Sequence, residues 1–154
     1  MIDMKRIIVP IDFSDYSKKA LRYAVEFAKQ FSAEIILVYV VEPVVYPADF
    51  SFGQVAIPSM ENELRQRGEE QLAKLLENEA GHLIPSRAVV RSGKPFVEIN
   101  LLAQEENADL IIIATHGHSG IEHVLFGSTA EKVVRKAHCP VLTVREKEKE
   151  FILP

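Results

Sequence analysis

One cysteine, no tryptophan and seven glycines are spread through 154 residues, and the formal charge is −4. The single cysteine, Cys139, excludes an internal disulfide and a four-cysteine zinc site. The negative balance argues against a nucleic-acid binder, which ordinarily carries a basic face. The longest apolar run, Ile35 to Val41, falls far short of the roughly 20 residues a membrane-spanning helix needs. Met1 to Arg6 show no long apolar stretch behind their positive charges, so no signal peptide is expected. A soluble, reduced, cytoplasmic protein is the consistent expectation. What the sequence does have is an ordinary globular mixture, 47% hydrophobic and 26% charged. Its length suits one domain that buries about 68–70% of its unfolded surface without a covalent staple.

Short apolar runs alternate with longer helical patterns. Ile7 to Pro10 reads as strand one. Ser14 offers an N-cap, with Asp15 in the first turn, and Ala20, Leu21, Ala24, Phe27, Ala28 and Phe31 recur at helical spacing. Ile35 to Val40 is strand two, apolar throughout as in a sheet covered on both faces. Residues 42–58 are irregular, broken by Pro43, Pro47 and Pro58 and carrying Tyr46, Phe50 and Phe52; a loop this long suggests a lid or a binding surface. Ser59 is the expected cap of helix two, which turns Met60, Leu64, Leu72, Leu75, Leu76 and Ala80 inward and stops at Gly81.

Ala88 to Val90 lie in a weaker strand three. Pro95 opens helix three, whose stripe is Ile99, Leu102 and Ala103, and Asn107 suits a left-handed end. Leu110 to Ala114 is strand four. A loop runs from Thr115 to Gly127, with one helical turn expected at Ile121, Val124 and Leu125. Ser128-Thr129-Ala130-Glu131 matches a capping box for helix four, with Ala130, Val133, Val134 and Ala137 inward. Val141 to Val144 is strand five. The domain spans 1–146, and 147–154 form a short charged and apolar tail. Strands alternating with helices predict a single α/β domain, a doubly wound open sheet of five parallel strands with helices on both faces.

In such sheets a ligand binds beyond the carboxyl ends of the strands, where the strand order reverses. With strands one and four as central neighbours, Pro10-Ile11-Asp12 and Ala114-Thr115-His116-Gly117 line that crevice. The second segment leads on to Gly127-Ser128 at the start of helix four. A helix start presents unpaired N–H groups to an anion, and glycine lets the backbone come close. Familiar phosphate motifs fail on single positions. Ala88 stands where a P-loop before Gly93-Lys94 needs glycine, and Thr115 stands where a dinucleotide fingerprint needs one. Gly117-His118-Ser119-Gly120 is one residue short of a nucleophile elbow. Arg91-Ser92 replaces the aspartate of a response regulator, and His116-Gly117-His118 does not match a nucleotidyl transferase.

These residues resemble a universal stress protein over almost the whole chain. Ile8 to Ser14 resembles that family's first strand and turn. Ala114-Thr115-His116-Gly117, nine residues, then Gly127-Ser128 resembles its nucleotide signature of Gly, two residues, Gly, nine residues, Gly and a hydroxyl residue. Ser128 to Val134 and Cys139 to Val144 are similar to its last helix and strand. The resemblance implies a sheet ordered 3-2-1-4-5 and, in the nucleotide-binding branch, ATP with Mg²⁺ in the strand one/strand four crevice. It implies that Pro10, Ile11 and Asp12 meet the adenosine part and that Val40 lines the adenine pocket through its backbone. Gly117, Gly127, Ser128 and Thr129 would hold phosphates, with Ala114, Thr115, His116 and His118 in the same loop. It also implies a homodimer paired through Val141 to Val144. The protein is expected to be a regulatory stress-response dimer rather than an enzyme, with any ATP hydrolysis slow because the sequence offers no evident general base near a γ-phosphate. The alternative is a nucleotide-free dimer acting as an interaction scaffold.

The first signature glycine is Ala114. A left-handed backbone there would cost alanine about 1–2 kcal/mol, while an ordinary strand backbone would cost little. Other residues keep two readings. Asp12 is either a turn residue or a partner of ribose or a bridging Mg²⁺. Ser128 is either a cap or a phosphate contact. His116, His118 and His123 cluster without a fixed carboxylate, which is thin support for a metal site, and His118 also suits a phosphate donor. Cys139 reads as a small buried filler.

Overall fold

The computed structural model describes residues 1–43, 58–117 and 126–145. The loop aromatics Tyr46, Phe50 and Phe52, the turn at Ile121, Val124 and Leu125, His118, His123 and the tail therefore lie outside the described residues. The described elements are β1 (Arg6–Pro10), α1 (Asp15–Phe31), β2 (Glu34–Val41), α2 (Pro58–Glu79), β3 (Ser86–Ser92), α3 (Pro95–Glu105), β4 (Leu110–Ala114), α4 (Ser128–Lys136) and β5 (Val141–Val144). The five strands form one sheet, ordered β3-β2-β1-β4-β5, with every described pairing parallel.

Alternation along the strands explains why helices cover both faces. Ile7, Val9, Ile35, Leu37 and Ile112 pack with Leu21 and Ala24 of α1 and Leu72 of α2. Ile8, Ile36, Val38, Ile111 and Ile113 pack with Ile99 and Leu102 of α3 and Ala130 and Val133 of α4. Successive strand residues point to opposite faces, so one sheet separates two apolar cores. No helix among the described residues is long and apolar enough to cross a membrane.

The ends of the elements follow local chemistry. Ser14 caps α1, its hydroxyl accepting from the Ser17 N–H at 3.2 Å. Gly81, at φ 63°, ends the turn after α2, its N–H donating to Leu76 O. Asn107 takes φ 49° after α3. Three expectations need correction. Ser59 does not cap α2, because the helix already begins at Pro58, where a missing N–H removes no helix hydrogen bond. Ser128 is the first helical residue of α4, not its cap; Gly127 holds that place in extended conformation, so the capping box does not form. Val134 does not face inward but is 45% exposed, since Ala130 and Val133 already fill the narrow buried stripe of a nine-residue helix. Phe31 is likewise 37% exposed, stacked on Phe27 at the end of α1.

Candidate functional site

The order of strands reverses between β1 and β4, and a cleft of about 510 Å³ opens beyond their carboxyl ends. That volume falls within the range of small-molecule and cofactor sites. Pro10, Ile11, Asp12, Val40, Ala114, Thr115, His116, Gly117, Gly127, Ser128 and Thr129 all line it. The structure thus brings together eleven of the twelve residues singled out in the sequence, the twelfth being His118. It adds Val38, Tyr39, Val41 and Glu42 at the end of β2, Leu64 of α2, Ser17 of α1, and Pro95 and Ile99 at the head of α3. Pro95 and Ile99 were readable as the start and inner face of a helix; nothing in their spacing tied them to this cleft.

At one wall stands the head of α4. Its hydrogen-bond ladder begins with the Glu131 N–H donating to Gly127 O at 3.0 Å, so the amides of residues 128–130 take no part in it. The Gly127 cap makes no side-chain hydrogen bond. Unpaired amides and the positive end of the helix dipole then face the cleft. The Gly127 N–H itself donates to Thr115 O at 2.6 Å. A Cβ on Gly127 would stand 3.1 Å from that same carbonyl oxygen, which would have to give by a few tenths of an ångström.

The opposite wall is the turn between β1 and α1. Asp12 Oδ1 accepts from the Ser14 N–H at 3.0 Å and from the Ser14 hydroxyl. Asp12 therefore is a turn residue, and the other reading is not displaced, because its second oxygen, Oδ2, faces Gly117 so closely that a Cβ there would collide with it. Between Asp12 and Ser14, Phe13 holds φ 65°, a left-handed conformation rarely taken by a bulky residue and worth roughly 1–3 kcal/mol of strain. Sequence reasoning missed this: glycine or asparagine announces such a position, and phenylalanine does not.

Thr115 joins these parts. It is fully buried, its N–H donates to Val144 O of β5 at 3.0 Å, and its hydroxyl lies 3.0 Å from His116 Nδ1. His116 in turn packs against the Tyr16 ring of α1, centroids 5.9 Å apart. Ala114 ends β4 in ordinary strand pairing, and it is absent from the positive-φ positions, so it bears no left-handed cost. Among the described residues no group of three or more His, Cys, Asp or Glu is arranged to hold a metal ion. Cys139 is half-buried against the α3/α4 core, and burial, seconded by the Asp109 charge, raises its thiol pKa.

A family model described as the universal stress protein family matches residues 4–145. Universal stress protein MJ0531 of Methanocaldococcus jannaschii is 37% identical over 149 residues, covering 95% of this chain and 85% of that one. Among solved structures, that of MJ0577 from the same organism superposes with a TM-score of 0.82 at 25% identity, covering 96% of this chain and 100% of that one. Two more share the fold at lower identity. A universal stress protein in complex with cAMP gives a TM-score of 0.66 at 22% identity, with 94% and 98% of the chains covered. One from Archaeoglobus fulgidus in complex with dAMP gives 0.61 at 21%, with 93% and 98% covered.

Proposed function

Because the chain belongs to the universal stress protein family, we propose that its cleft binds an adenine nucleotide, ATP with Mg²⁺, and that the protein acts as a regulatory homodimer rather than as a catalyst. The observation that carries this reading is the head of α4, an uncapped helix start with three amides outside the ladder, opening into a cleft of nucleotide size. Such an end favours a polyanion. The glycines at 117 and 127 leave the wall free of side chains on both sides of that end. Fold neighbours in complex with cAMP and dAMP support adenine as the base.

The residues have distinct tasks. Backbone amides of Ser128, Thr129 and Ala130 take the phosphates, with the exposed Ser128 hydroxyl, released from capping, as a further donor. Val40 and Ile99 supply apolar wall for the base. The Asp12 carboxylate would repel a phosphate, so Oδ2 serves the ribose hydroxyls. Bound Mg²⁺ supplies charge neutralisation along the phosphates. Hydrolysis in this reading is slow, since Asp12 is engaged with Ser14 and given to the ribose rather than to an attacking water.

The homodimer reading rests on β5, an edge strand whose Val141, Leu142 and Thr143 are only half-buried. An unpaired apolar edge of this kind is satisfied by a twofold copy of itself.

Isothermal calorimetry with ATP·Mg²⁺ tests the nucleotide reading. Heat is expected for the wild-type protein and none for Gly127→Asp, which places a carboxylate where phosphate belongs, with far-UV circular dichroism confirming the fold. An absence of heat at millimolar ATP would instead favour a nucleotide-free scaffold.

A further inference from the structure

We infer that the Phe13–Tyr39 ring pair is a positioning device that aims the Asp12 carboxylate at the ribose, so that Phe13 sets how strongly the cleft prefers a nucleotide with ribose hydroxyls. The inference rests on the adenine-nucleotide reading above and deepens it. Phe13 does not line the cleft, yet it bears the strained backbone there, at φ 65°. That conformation turns the chain so that Ser14 reaches back to Asp12 Oδ1 from both its N–H and its hydroxyl, which fixes the carboxylate plane and leaves Oδ2 on the Gly117 side. A left-handed phenylalanine persists only where its surroundings hold it. The ring of Tyr39 supplies that hold, tilted at 56° with centroids 4.9 Å apart.

Tyr39 is itself pinned from behind. Gly68 of α2 presses so closely on it that a Cβ would fall 2.6 Å from Cδ1. The ring thus has a rigid backing, and β1 is tied to β2 just before the turn, where the Ile11 N–H donates to Val38 O at 2.8 Å. Helix α2, sheet and ring together over-determine a turn that its own sequence disfavours. The Phe13 ring packs against the core under α1 and α2, so its burial offsets the cost of a turn that glycine or asparagine would make without strain. The turn's product is a carboxylate held in one orientation.

The test compares ATP with 2′,3′-dideoxy-ATP, which lacks both hydroxyls, by calorimetry on the full chain. The wild-type protein is expected to bind ATP about tenfold or more tighter, the worth of a hydrogen bond to a charged group. In Phe13→Ala that ratio is expected to fall to about threefold or less, with ATP weakened and the dideoxy nucleotide unchanged. Phe13→Tyr keeps the ring and should restore the ratio. Phe13→Asn makes the left-handed turn without needing the ring to hold it, so it should fold and keep the preference, as a turn that aims Asp12 requires. Equal weakening of both ligands or an unchanged ratio in Phe13→Ala, or loss of the preference in a folded Phe13→Asn, overturns the positioning role. A wild-type protein that binds both nucleotides equally overturns it too, by removing Asp12 from the ribose. No heat with either nucleotide overturns the underlying nucleotide reading instead.

Discussion

Gly117 and Gly127 face different neighbours, and the difference sets what each substitution does. Gly117→Ala would meet the end of a carboxylate side chain, which can swing away, so stability should fall by less than about 1 kcal/mol. ATP affinity should nonetheless drop about tenfold, because the displaced group is Asp12; calorimetry beside a urea melt separates the two effects. Gly127→Ala would meet the Thr115 backbone carbonyl at 3.1 Å, and backbone held by two hydrogen bonds yields less readily than a side-chain end. It should cost about 1–3 kcal/mol as well as affinity. Ala114→Gly should not tighten binding, since the position is plain strand; a several-fold gain would show that ligand contact rather than backbone strain matters there. Cys139, with its thiol pKa raised by burial, should react with iodoacetamide at pH 8 more slowly than free cysteine does.

At the scale of elements, much of the architecture was legible. Continuous apolar runs such as Leu110 to Ala114 announce buried parallel strands, and Ser14, Gly81, Asn107 and Pro95 mark their turns by chemistry that acts locally. What was not legible depends on neighbours in space. Ser128 has the composition of a cap, yet the chain enters α4 through the Gly127–Thr115 bond, and that long-range hydrogen bond decides the helix start. Phe13 takes its conformation from Tyr39 and Gly68, which lie far along the sequence. The site was therefore visible as loops and glycines, but not as walls: Leu64 and Pro95 arrive by tertiary packing. The cap of α1 gives a direct check. Ser14→Ala removes an acceptor for the Ser17 N–H and a donor to Asp12, and should lower stability by about 1–2 kcal/mol in a thermal melt.

For the whole molecule, ligand and partner should both register as stability. At an ATP·Mg²⁺ concentration about a hundredfold above its Kd, binding to the folded form contributes about 2.7 kcal/mol. For a chain of this length, that is a rise in Tm of roughly 5–10 °C in scanning fluorimetry, absent in Gly127→Asp. The parallel register with β4 turns Pro140 O and Val144 O inward, to Ile111 and Thr115. By alternation, the Thr143 N–H points out from the edge. Thr143→Pro should then leave the sheet intact while halving the mass seen by light scattering, if copies pair along β5.

The two ends of one peptide segment give this arrangement a mechanical character. The amide of Thr115 is fastened to the outermost strand and its carbonyl to the glycine that opens the last helix. The N–H and C=O of one residue lie in two rigid peptide planes joined at its Cα, so a tug on that outer strand reaches the helix head through only the two dihedrals of Thr115. The rim where subunits would meet and the hollow where an anion would rest are therefore geared together by a single threonine.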